Sequence, residues 1–79
     1  MSATATSDTD SWTASIACYG APVNVTGYIK VGGKLKWDGV HAPALLHNNS
    51  LSYNGIGNNK KVEVKAVASD EISVESSVN

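Results

Sequence analysis

The sequence predicts an all-β fold: a small antiparallel sandwich or barrel of six to seven short strands, with no substantial helix. Three observations carry this. Apolar and polar residues alternate with period two in several runs. Valine is plentiful, with nine residues, and leucine is scarce, which favours strands over helices. Turn residues recur at intervals of roughly 8–12 positions, as in sandwiches and barrels.

The 79 residues make one domain, with no room for a second. Residues 1–10, MSATATSDTD, are small and polar and carry no large apolar side chain, so a flexible tail is expected there. They also lack the apolar segment of a secretory leader. The single β domain is expected over residues 11–79.

The first strand runs from Ser11. Trp12, Ala14, Ile16 and Cys18 fall on one face, and Thr13, Ser15, Ala17 and Tyr19 on the other. Gly20-Ala21-Pro22 ends it, because proline cannot donate to a ladder. Val23, Val25, Ile29 and Val31 then form an inward row against Asn24, Thr26, Tyr28 and Lys30. Gly27 interrupts that inward row and marks a bulge, a bend or a close approach.

Gly32-Gly33 turns the chain. A three-residue loop through Lys34, or an equivalent bulge, opposes Val31 to Leu35 and Ile29 to Trp37. Asp38-Gly39 reads as a second hairpin turn, opposing Trp37 to Val40 and Leu35 to Ala42. Pro43 stops that strand, and Ala44 to His47 suits a single helical turn. Leu51-Ser52-Tyr53 reads as a short strand, and Asn54 to Asn59 as a loop. Val62, Val64 and Ala66 alternate with Lys61, Glu63 and Lys65. A turn at Ser69–Glu71 opposes Ala68 to Ile72 and Ala66 to Val74, and Ser76 to Asn79 frays.

Composition narrows the function. Six lysines against seven acids leave a net charge of −1, and arginine is absent. No basic surplus exists to hold a nucleic-acid backbone, and the bidentate guanidinium fork is missing. No run of about 18 apolar residues spans a membrane. Nucleic acid and membrane are therefore not expected as partners. One cysteine makes no internal disulfide, and Cys18 on the inward row reads as core packing.

Serines lack the context of a nucleophile elbow, and no cofactor fingerprint is present. Asp38, His41 and His47 lie close in sequence without a metal-ligand spacing, so no metal is assigned. The segment from Gly55 to Lys61 lacks the phosphate-loop pattern and reads as a hairpin loop with lysines at its base. By exclusion, the chain is expected to be a non-enzymatic binding module without a cofactor. Its ligand is expected to be a saccharide or a protein. The alternative is a structural subunit that assembles through a sheet edge, as a homo-oligomer or in a larger assembly. Among the aromatics, Trp12, Trp37 and Tyr53 fall on inward rows, while Tyr19 and Tyr28 face out. The expected ligand face is the outward row Asn24, Thr26, Tyr28 and Lys30: an amide, a hydroxyl, an aromatic plane and a cation on one strand.

Overall fold

A computed structural model describes residues 1–57, 61–68 and 71–75. Eight strands form two antiparallel sheets, and there is no helix among the described residues. The strands are β1 (Ser2–Ser7), β2 (Ser11–Cys18), β3 (Val23–Val31) and β4 (Lys34–Asp38), then β5 (Ala44–Leu46), β6 (Asn49–Ile56), β7 (Val62–Val67) and β8 (Glu71–Glu75). One sheet has the order β1-β2-β6. The other has the order β4-β3-β7-β8, with β5 also paired to β3.

The two sheets pack face to face through their inward rows. Trp12, Ala14, Ile16 and Cys18 of β2 meet Val25, Ile29 and Val31 of β3, and Val62, Val64 and Ala66 of β7, with Trp37 and Leu46 completing the core. The alternation read from the sequence therefore gives the right faces for β2, β3 and β7. Cys18 is a free, buried thiol inside that core. Along one side of the sandwich β1 packs against β7 and approaches β8; along the other, β4 and β6 make no comparable approach.

The segment expected as a tail is strand β1, paired with β2 from Ser2↔Ala17 to Ser7↔Trp12. Ala3 and Ala5 pack against the core. Their small side chains satisfy the inward row without an apolar signature.

Several registers differ from expectation. Gly32 and Gly33 both have positive φ, 60° and 81°, which suits a two-residue primed turn whose twist matches its strands. That turn pairs Val31 with Lys34 and Lys30 with Leu35. A register shift between Ile29 and Lys30 then leaves Lys36 as the extra residue and restores the expected Ile29↔Trp37 pair. Leu35 is thereby thrown outward and is 52% exposed.

No strand follows Asp38-Gly39. Ala42 donates its backbone N–H to the Asp38 carbonyl at 2.9 Å, and the Ala42 carbonyl accepts from Trp37 Nε1 at 3.2 Å. The chain wraps the indole instead of returning along it, which leaves Val40 exposed. Ala44 to Leu46, expected as a helical turn, is strand β5 on the N-terminal half of β3. β6 runs on to Ile56, through residues expected as loop. The β7–β8 pairing joins Ala66 to Ile72 and Val64 to Val74, two residues away from the expected register. The expected loop at residues 58–60, the turn at 69–70 and the end at 76–79 lie outside the described residues.

Gly27 has φ +129°, and a Cβ there would run into the Lys65 backbone carbonyl. It stands where β3 stops pairing with β5 and continues between β4 and β7. The interruption in the inward row is thus a close approach of neighbouring backbone, not a bulge, since the β3–β7 register runs through it unbroken.

Candidate functional site

Period-two alternation sends Asn24, Thr26, Tyr28 and Lys30 to the outer face of the larger sheet. Asn24 is exposed, and the other three are half-buried. Gly27 divides the row. Asn24 lies opposite Leu45 of β5, itself 62% exposed, and Thr26 Oγ1 donates to the Val67 carbonyl at 3.4 Å. Beyond the glycine, Tyr28 is flanked by Asp38 on β4 and Lys65 on β7, and Lys30 by Leu35 and Glu63.

Lys30 Nζ stands 4.9 Å from the centroid of the Tyr28 ring. A cation over a ring at this distance contributes about 0.5–1 kcal/mol at an exposed site. It also covers one face of the ring. At the edge of the same face, Lys61 Nζ lies 3.9 Å from Glu63 and 3.7 Å from Glu75. The outer face is therefore a mosaic of both charge signs around Tyr28.

Asp38 ends β4 in a local cluster. Its carboxylate accepts from the backbone N–H groups of Val40 and His41, at 3.2 and 3.4 Å, and pairs with His41 Nδ1 at 2.7 Å. The hydrogen bond from the His41 ring is the main reason its carboxyl titrates below the ordinary 3.8. His47 lies elsewhere, with Nδ1 at 2.6 Å from the Gly20 carbonyl oxygen. The described residues hold no group of three metal-ligating side chains. No helix among them is long and apolar enough to cross a membrane.

A second feature was not foreseen. A cleft of about 330 Å³ opens between the free edges of β4 and β6. Trp12 and Val31, both core residues, form its floor, with Lys34, Lys36, Asn54 and Ile56 around the mouth. These residues come from distant parts of the chain, so no local motif announces them. The one local signal is Ile56, an apolar branched residue set between two glycines and 92% exposed.

Comparison of the chain with protein-family models, curated proteins and solved structures gives no match. The class that fold and surface define is a small all-β sandwich.

Proposed function

We propose that this chain is a non-enzymatic binding module that engages its ligand through the outward face of β3, at Asn24, Thr26, Tyr28 and Lys30. The observation that carries the reading is the Tyr28 ring, lying under Lys30 and flanked by Asp38 and Lys65 on neighbouring strands. An aromatic plane among fixed charges on a rigid sheet is what a polar ligand needs for orientation. Because Lys30 covers one ring face, a protein ligand fits better than a stacked saccharide. The test is a glycan array and a protein-interaction screen with wild type and Tyr28→Ala. Binding lost in Tyr28→Ala, with an unchanged melting midpoint, supports the reading. A ligand that binds both proteins equally, or no ligand in either screen, sinks it.

Assembly through a sheet edge is a second reading, and β6 favours it. This edge strand is eight residues long, NSLSYNGI, and holds no charge and no proline. Edge strands usually carry such residues to block pairing with another chain. Sedimentation over a concentration series tests it. A dimer that Ser52→Lys dissociates supports the reading, and a monomer at all concentrations overturns it.

A further inference from the structure

We propose that the cleft between β4 and β6 binds a small organic anion: an apolar body bearing a carboxylate or phosphate group. This site is separate from the outer face of β3.

Charge is the first argument. Lys34 and Lys36 both line the cleft, and neither forms an ion pair with any described residue. Among the described residues, no acidic side chain lines it. Two like charges at one mouth repel each other, and a bound anion relieves that repulsion. The β3–β4 hairpin sets this up. Pairing of Val31 with Lys34 places the lysine at the end of the inward row, and the register shift adds Lys36 beside it.

The second argument is the floor. A buried tryptophan N–H ordinarily finds an acceptor. Trp37 does, at the Ala42 carbonyl. Trp12 donates to no described residue, and its Nε1 is not buried but open to solvent, where a ligand in the cleft reaches it. Its Cε2, Cζ2 and Nε1 pack directly over Gly55, which fixes the indole in the wall of the cleft. Asn54 adds an amide to the same wall. The cleft is thus rich in donors and poor in charged acceptors.

Apolar surface is the third argument. Edge protection explains a lysine on β4. It does not explain Ile56, 92% exposed at the rim of the same cleft. At about 330 Å³ the cleft is at the small end of the range for ligand sites, so the ligand is compact.

The test uses the full chain and four probes: benzoate, phenyl phosphate, benzyl alcohol and inorganic phosphate. The readout is the indole N–H resonance of Trp12, assigned by its proximity to Gly55, with that of Trp37 as internal reference. Benzoate or phenyl phosphate should shift the Trp12 signal saturably, and the stronger of the two identifies the acid group. Benzyl alcohol and inorganic phosphate should bind at least about tenfold more weakly, a factor that two interactions acting together readily supply. Lys34→Gln and Lys36→Gln should each weaken binding several-fold, and the double variant should abolish it. No saturable shift at about 10 mM of either aromatic anion overturns the proposal. So does equal binding of benzyl alcohol, equal binding of inorganic phosphate, or undiminished binding by the double variant. Loss of ligand in Tyr28→Ala with retained benzoate or phenyl phosphate binding would separate this site from the β3 face.

Discussion

Trp12 stands directly across from Gly55, and its indole fills the space a side chain at 55 would need. A Cβ there would lie 2.8 Å from Cε2, Cζ2 and Nε1. The aromatic ring covers the bare glycine of an edge strand, a pairing that fixes register. Gly55→Ala should therefore cost about 1–3 kcal/mol, as overpacking does. Because the backbone of Gly55 is not in the left-handed region, the cost is steric and should shrink in a Trp12→Leu background. Denaturant midpoints of the four proteins in that cycle check it; equal costs in both backgrounds would show that the ring is not the obstacle.

Gly27 should be less tolerant. Its φ of +129° and its contact with the Lys65 backbone combine strain with a clash that no side chain can relieve by moving. Gly27→Ala should cost about 3 kcal/mol or more, adding backbone strain to overpacking. Gly20 offers the contrast: φ is +109° with nothing within 4 Å of a Cβ, so only the backbone term remains. Gly20→Ala should cost about 1 kcal/mol, at the low end for such strain. Comparable melting midpoints for the two variants would contradict this.

The two indoles and the outer row of β3 were legible in the sequence, and β1 was not. Period two is visible when large apolar residues mark it, as Trp12, Ile16, Val25 and Ile29 do. In SATATS the inward residues are alanines, which resemble the polar residues beside them. β5 was hidden by its length of three residues and by Pro43 just before it. The β4 register was legible at Trp37 but not at Leu35, because a one-residue shift between them leaves no compositional trace. The Tyr28 row follows from alternation along one strand. The cleft joins residues from β2, the β3–β4 hairpin and β6, and only the folded pairing brings them together.

Removal of residues 1–8 should destabilise the domain by at least about 2 kcal/mol. The deletion takes away six paired positions and uncovers the β2 edge, and each net hydrogen bond contributes about 0.5–1.5 kcal/mol. Ala3 and Ala5 also leave the core surface. A thermal melt of the truncated chain checks this. An unchanged midpoint would mean the segment behaves as a tail in solution.

Asp38 gives a pH dependence with a definite sign. The His41 ring, and then the backbone N–H groups of His41 and Val40, lower its carboxyl below 3.8 in the folded state. A lowered carboxylate pKa stabilises the fold above the unfolded value, and that stabilisation is lost as pH falls through the folded one. Asp38→Asn keeps an oxygen for the local turn but loses the charge. Wild type should therefore exceed the variant at neutral pH, and the difference should close below pH 3.8. Urea midpoints for both proteins across that range check it; a gap that persists in acid would assign the difference to packing.

Neither sheet is written by one continuous stretch of chain. β1 and β2 belong to the first sheet, β3 to β5 to the second, β6 returns to the first, and β7 and β8 complete the second. The hairpins β1–β2, β3–β4 and β7–β8 are local, but the central pairings β2–β6 and β3–β7 join distant segments. Loop-closure entropy must be met before such contacts reward it, which places folding in the millisecond-to-second range of all-β domains. On the ribosome, β2 waits for β6 and β3 waits for β7, so each holds a local partner on one edge while its other edge stays open until late in synthesis. In the interlaced order each sheet is completed only by strands from both halves of the chain.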